Sequence, residues 1–165
     1  MTQSKIQFLP YTPMYKEFYL KECKALEKVL RNNCIDIHHV GSTAISKIKA
    51  VPVLDILCIA HTLDGISIFE DEFNRLGLTL VKEEKGPERM IFERKSKDDG
   101  TVLSRIYIYE KSDPRIDDIL DLRDYLNKNE EAAKSYEASK LEFSKDADSY
   151  ESKKSALIDV ILTAL

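Results

Sequence analysis

Apolar residues recur three or four positions apart near the start of the chain. They are Tyr15, Phe18, Tyr19, Cys23, Leu26, Val29 and Leu30. This spacing places them on one face of a helix, and Thr12-Pro13 just before them is typical of a helix start. The pattern therefore predicts a first amphipathic helix that ends near Leu30.

Shorter apolar runs predict a sheet. Strands are expected around residues 35–40, 53–59, 78–81, 90–92 and 102–109, and the turn sequence SKDDG joins the last two as a hairpin. Between the second and third of these strands, Asp64 and Gly77 enclose a predicted helix. Its apolar face consists of Ile66, Phe69, Phe73 and Leu76.

After Glu110 the pattern becomes helical. Asp113-Pro114 begins a helix that extends to near Asn127, Glu130 begins a second, and Asp148 or Ser149 begins a third that runs to the end. No internal repeat or linker separates the two parts of the sequence. We therefore predict an α+β protein with one domain over residues 1–165, in which a mixed β-sheet has flanking helices and the C-terminal third is helical.

Composition narrows the classes of function. The 165 residues are 43% hydrophobic and 33% charged, with no apolar stretch of membrane-spanning length and no signal-peptide pattern at the N-terminus. Three cysteines without a CxxC pair favour a reducing, cytoplasmic location. The net charge of -4 argues against nonspecific nucleic-acid binding, but it leaves room for a local basic pocket and a small anionic ligand.

Asp55 is an ionisable residue inside an apolar strand. Burying a carboxylate without a partner is costly, so it is expected to pair, protonate or bind a metal ion. Gly41-Ser42 ends the preceding strand, where backbone amides and a hydroxyl can hold phosphate while Asp55 holds the accompanying Mg²⁺. These residues suit a nucleotide triphosphate. The alternative is an ordinary Gly-Ser turn, with Asp55 as a structural hydrogen-bond acceptor.

Three basic residues fall on apolar faces of the predicted C-terminal helices. They are Arg123, Lys140 and Lys154. Because buried cations need partners, the three together are candidates for a phosphate site. In the alternative, their stems pack against the core while their charged ends reach solvent or pair with nearby acidic residues. The sequence leaves both alternatives open.

Four segments together resemble the GrpB family. They are YTPMYKEF, HHVGSTAISKIKAVPVLDIL, LRDYLNKNEEAAKSYEASK, and Tyr150 with Lys154. The resemblance covers nearly the whole chain and implies a fold similar to the polymerase-beta-like nucleotidyltransferases. In that superfamily the Gly-Ser pair holds the triphosphate, two acids separated by one residue bind metal, and a third acid activates the attacking hydroxyl. The resemblance thus implies a nucleotide-binding protein, with Mg²⁺-dependent nucleotidyl transfer as a further possibility.

The sequence departs from this pattern at several positions. Leu57 stands where the superfamily has its second acid, Ser46-Lys47 and Val51 replace the family's Pro-Gly and Lys, and Ser104, Arg105 and Tyr107 stand on a strand that is usually histidine-rich. Glu110 is the best available second acid, but its place at a strand end favours the alternative, a solvent-facing strand terminus, and Arg105 is also open as a site residue. Two-metal transfer needs several carboxylates. The missing acids therefore favour the alternative function, a noncatalytic ligand-sensing or interaction module.

Overall fold

The computed structural model describes residues 5–81 and 89–165, and within them five strands form one mixed sheet. The strands are β1 (Cys34–Val40), β2 (Leu54–Ala60), β3 (Thr79–Leu80), β4 (Arg89–Lys95) and β5 (Val102–Glu110). Their order across the sheet is β1-β2-β5-β4-β3. Strands β2 and β5 are parallel, while the other neighbouring pairs are antiparallel. The predicted mixed sheet and the β4–β5 hairpin are confirmed.

Helices flank the sheet and make up the C-terminal third. They are α1 (Met14–Leu30), α2 (Glu70–Arg75), α3 (Arg115–Lys128), α4 (Glu130–Phe143) and α5 (Tyr150–Thr163). Local caps explain two of the starts: Thr12 Oγ1 accepts a hydrogen bond from the Met14 amide at 3.3 Å, and the Asn129 side chain accepts one from the Ala132 amide at 3.0 Å. The predicted α+β class is confirmed.

One predicted helix differs in form. The segment after Asp64 is a 3₁₀ turn over Ile66–Phe69 that continues into the short helix α2. Ile66 and Phe69 are three residues apart, a spacing that fits a 3₁₀ turn as well as an α-helix, so periodicity alone did not separate the two. Gly77, with φ of +82°, follows the helix end as predicted.

Different helices pack on the two faces of the sheet. Helices α1 and α2 cover one face, where Leu26 and Phe73 pack against the strand residues Ile56, Phe92 and Ile106. The other face packs Leu57 of β2 against Tyr109 of β5 and Ile116 of α3. Alternate residues of a strand point to opposite faces, so Asp55 shares the face of Leu57 and points toward the C-terminal helices.

The C-terminal helices also pack on the loop that follows β1. Ile45 and Ile48 of this loop form a buried cluster with Leu126, Ala133 and Tyr136. This cluster fixes the Gly41-Ser42 turn against α3 and α4. None of the helices in the described ranges is long and apolar enough to cross a membrane.

Candidate functional site

The Gly41-Ser42 turn lies directly against Asp55. Val40, the last residue of β1, pairs with Asp55 of β2, and Gly41 then leaves the strand with φ of +72°. A Cβ atom built on Gly41 would lie 3.0 Å from the Asp55 Cβ and closer still to its carboxylate. The sheet register therefore brings together the turn and the carboxylate that the sequence analysis singled out, and only glycine fits between them.

Gly41→Ala is expected to destabilise the protein more than Gly100→Ala does. Both glycines have a positive φ, +72° at Gly41 and +75° at Gly100, and Gly41 combines it with ψ of -172°, so each variant loses roughly 1–3 kcal/mol of unfolding free energy to backbone strain. Only at Gly41 does the new methyl also meet Asp55, since nothing lies within 4 Å at Gly100. Urea denaturation of the two variants measures the difference. Equal losses would show that the turn can move away from Asp55.

A cleft of about 350 Å³ opens beside the turn, between the sheet and the C-terminal helices. Its walls include Gly41, Ser42, Asp55, Arg123, Tyr136 and Lys154. Lys140 reaches the same place from α4, because its ammonium donates a hydrogen bond to Ser42 Oγ. All six residues that the sequence singled out thus lie at one cleft.

Lys140 is a buried cation with no acidic partner in the described ranges. Only 1% of the residue is exposed, and its Nζ lies over the rings of Tyr136 at 4.6 Å and Phe8 at 5.8 Å. No ion pair among residues 5–81 and 89–165 involves it, and Ser42 supplies its one polar side-chain contact there. Burial, and then the nearby charge of Lys154, lower the pKa of Lys140 to about 8.

Asp55 is an acid whose carboxylate has no hydrogen-bond partner among residues 5–81 and 89–165. No hydrogen bond or ion pair among the described residues involves its carboxylate. Burial raises the pKa of Asp55 to about 6, although the positive charges of Lys154 and Arg105 act in the opposite direction. The partner that the sequence analysis expected is therefore not supplied by close contacts within these residues.

Arg123 and Lys154 show features of both alternatives that the sequence left open, because each lines the cleft and each also pairs with a nearby acid. The Arg123 guanidinium bonds the Asp124 carboxylate at 2.9 Å and donates to the His39 carbonyl oxygen at 3.2 Å. Lys154 forms an ion pair with Glu151 at 3.4 Å. Their side chains are 22% and 32% exposed. Both line the cleft while pairing with a neighbour on their own helix.

The acids of a two-metal site do not come together here. Leu57, which stands where a second acid is needed, is fully buried against Tyr109. Within the described ranges no group of three or more His, Cys, Asp or Glu residues is placed to hold a metal ion. These residues therefore do not fit a resident two-metal centre, because such a centre needs several converging carboxylates.

Glu110 does not lie beside Asp55, which agrees with the strand-end alternative that the sequence favoured for it. In the parallel β2–β5 pair, Asp55 lies opposite Arg105, whereas Glu110 lies opposite Ala60, roughly 16 Å further along the strands. Glu110 is also an odd number of residues from Arg105, so its side chain points to the other face of the sheet. Arg105 is the residue beside Asp55, and its Nε bonds Glu93 at 3.2 Å.

The sequence analysis missed part of the cleft wall. Tyr107, Tyr109, Arg89 and Arg115 also line it. The Arg115 guanidinium stacks over the Tyr109 ring at 4.8 Å, and Arg89 donates a hydrogen bond to the Tyr109 hydroxyl at 2.9 Å. A signal was present, because Tyr107 and Tyr109 alternate with buried isoleucines on β5 and so share the face of Asp55.

Comparison with protein families gives a match over nearly the whole chain. The sequence model described as GrpB protein matches residues 5–164. YqkA, a UPF0157 protein of Bacillus subtilis, is 29% identical over 132 residues, which cover 80% of this chain and 38% of YqkA. The chain thus spans well under two thirds of the length of that relative.

Solved structures give the same family and a broader fold class. The crystal structure of GrpB from Enterococcus faecalis is similar with a TM-score of 0.84 and 25% identity, covering 96% of both chains. Cid1 poly(U) polymerase with MgGTP bound is similar with a TM-score of 0.52 and 13% identity, covering 74% of this chain and 40% of Cid1. At that identity the likeness to Cid1 shows the fold alone.

Proposed function

Since the chain belongs to the GrpB family and has a nucleotidyltransferase-like fold, we propose that its cleft binds a nucleotide through the phosphates. In this proposal Gly41 and Ser42 contact the phosphate chain. Arg123, Lys140 and Lys154 neutralise its charge. Asp55 would be the protein ligand of a Mg²⁺ ion bound to these phosphates.

The main support for the proposal is the buried environment of the Lys140 ammonium beside Ser42. A buried ammonium without an acidic partner is unfavourable, and an anion beside Ser42 would supply the missing charge. Two further cations, Arg123 and Lys154, line the same cleft, which matches the several negative charges of a nucleoside di- or triphosphate. The MgGTP named with Cid1 belongs to a protein of the same fold class and points to the same ligand chemistry.

Lys154→Ala is expected to weaken nucleotide binding by roughly tenfold while changing unliganded stability little, because its partner Glu151 is 76% exposed and ion pairs at the protein surface contribute about 0–1 kcal/mol. Thermal shift and calorimetry with the four nucleoside triphosphates, with and without Mg²⁺, measure both quantities. The matched control is Lys153→Ala, since Lys153 is adjacent but exposed and outside the cleft wall. A large loss of unliganded stability with an unchanged nucleotide response would make Lys154 structural. No response of the wild-type protein to any nucleotide would overturn the proposal itself.

Asp55→Asn separates the metal role from the phosphate role in the same assay. An amide keeps the shape of the side chain but is a poorer ligand for Mg²⁺ than a carboxylate. The variant should therefore lose the Mg²⁺-dependent part of the nucleotide response and keep the part seen without metal. Loss of both parts would place Asp55 in the phosphate contact instead.

The leucine at position 57, where a second acid is needed, bears on whether a bound nucleotide undergoes nucleotidyl transfer. Nucleotidyl transfer is the second candidate function, and the fold class favours it. A buried leucine at the position of the second acid favours binding without transfer, as in a ligand sensor or interaction module. Pyrophosphate release from nucleoside triphosphates, with water or candidate acceptors present, distinguishes the two, and we expect none above the rate of the Asp55→Asn variant.

We also propose a cytoplasmic location. Cys23, Cys34 and Cys58 are all free thiols in the structure, and a reducing compartment keeps thiols in that state. Fractionation of cells that produce the protein tests this.

A further inference from the structure

Two cysteines on neighbouring strands bring their sulfur atoms close together. Cys34 begins β1 and Cys58 lies in β2, and their Sγ atoms are 3.9 Å apart. The β1–β2 register is irregular between Cys34 and Asp36, next to this pair. Both side chains belong to the face that α1 covers, which is the opposite face from the nucleotide cleft.

The two thiols differ in access. Cys58 is fully buried, whereas Cys34 is partly exposed and lines a cavity of about 360 Å³. Arg31 and Cys23 line the same cavity, and Cys58 does not. A small oxidant can therefore reach Cys34 from solvent. Cys58 is buried beneath Cys34, with its sulfur in contact with the Cys34 sulfur.

We propose that Cys34 and Cys58 form a peroxide-oxidisable dithiol site. The Cys34 thiolate attacks one oxygen of hydrogen peroxide, which breaks the O–O bond, makes a sulfenic acid and releases hydroxide. Cys58 sulfur then attacks the Cys34 sulfur, the S–O bond breaks, and the departing hydroxide takes the Cys58 proton to form water. The product is a disulfide, and the two electrons have passed from the sulfurs to the peroxide.

Local chemistry supports Cys34 as the attacking residue. The hydrogen bond with Cys58 holds the pKa of the Cys34 thiol below its usual value, while burial raises the pKa of Cys23. Since the thiolate is the nucleophile, Cys34 should react on the order of tenfold faster than Cys23 at neutral pH. The sulfurs must approach by about 2 Å to reach the bond length of a disulfide, which the strand start at Cys34 has to allow.

The test uses the reduced 165-residue protein and hydrogen peroxide. After blocking of the remaining thiols, peptide mass spectrometry should find a Cys34–Cys58 cross-link that lacks two hydrogen atoms and is reversed by dithiothreitol. Iodoacetamide labelling of the untreated protein should mark Cys34 first. A cross-link that contains Cys23, or full alkylation of Cys34 and Cys58 after peroxide, would overturn the proposal.

Single variants give matched controls. Cys23→Ser should keep the cross-link, and Cys58→Ser should instead accumulate a Cys34 sulfenic acid that dimedone traps. Cys34→Ser should lose both products. The wild-type peptide map decides the question even if a variant folds poorly. Because the site lies on the other face of the sheet, its outcome is independent of nucleotide binding.

Discussion

Replacing Asp55 by asparagine is expected to stabilise the ligand-free protein by about 3 kcal/mol at roughly pH 8. Burial raises the pKa of Asp55 from 3.8 to about 6, so ionising this carboxylate in the folded state costs more than ionising it in the unfolded chain. Asparagine has nearly the same shape and carries no charge to desolvate. Urea denaturation at several pH values measures the gain.

The pH dependence of this gain follows from the direction of the shift. Below the unfolded pKa the carboxyl is protonated in both states, so wild type and variant should be about equally stable. The wild-type protein then loses stability as the pH rises from about 4 to about 6, and the penalty stays constant above that range. The advantage of the variant should therefore grow through this window and reach a plateau.

Asp118→Asn is the control for this experiment. Asp118 also lines the cleft but is exposed, so its replacement should change stability by less than about 0.5 kcal/mol. A loss of stability in Asp55→Asn would instead show that the carboxylate accepts structural hydrogen bonds in the folded protein. That result would favour the ordinary-turn alternative for Gly41-Ser42.

The order and type of elements could be predicted from local signals. The 3.6-residue period of α1, the apolar run of β2 and the Pro114 start of α3 each act within a few residues, and the structure confirms all three. The order of strands across the sheet depends on contacts between distant residues. Periodicity carries no such information, so the sequence predicts a mixed sheet but does not identify β2 and β5 as its parallel pair.

The difference between local signals and long-range contacts also explains why the sequence could not place Glu110 relative to Asp55. Sequence spacing placed it at the end of a strand near the site, but only the β2–β5 register shows that this end is far from Asp55. Tyr107 and Arg115 were missed for a related reason, because their membership of the cleft depends on how α3 crosses the sheet. Lys140 and Lys154 were found because an apolar helical face is a local property.

The cleft holds charges that the folded protein alone stabilises poorly. Asp55 and Lys140 have pKa values shifted toward their neutral forms, which means that both ionised groups cost free energy in the empty protein. Proteins accept such costs at functional sites, where a ligand restores the missing interactions. These shifted pKa values therefore support the proposal that the cleft binds a charged ligand.

Lys140→Met is expected to weaken nucleoside triphosphate binding by about 10- to 100-fold at neutral pH, the equivalent of a charge-assisted hydrogen bond of about 1.5–3 kcal/mol. The empty variant should be at least as stable as wild type, because burial lowers the pKa of Lys140 to about 8 and the charged form is already penalised. The penalty is present in full below about pH 8 and disappears above the usual lysine pKa of about 10.5.

This titration also gives wild-type binding a pH dependence. A bound polyphosphate favours the ammonium form, so binding should take up a proton when the pH is above about 8, and affinity should fall there as the pH rises. The Lys140→Met variant should lose most of this dependence. Lys134→Met is the matched control, since Lys134 lies on the same helix but is exposed and pairs with Glu130 at 3.2 Å. Calorimetry in buffers of different ionisation enthalpy measures the proton uptake, and an unchanged uptake in Lys140→Met would assign it to another group.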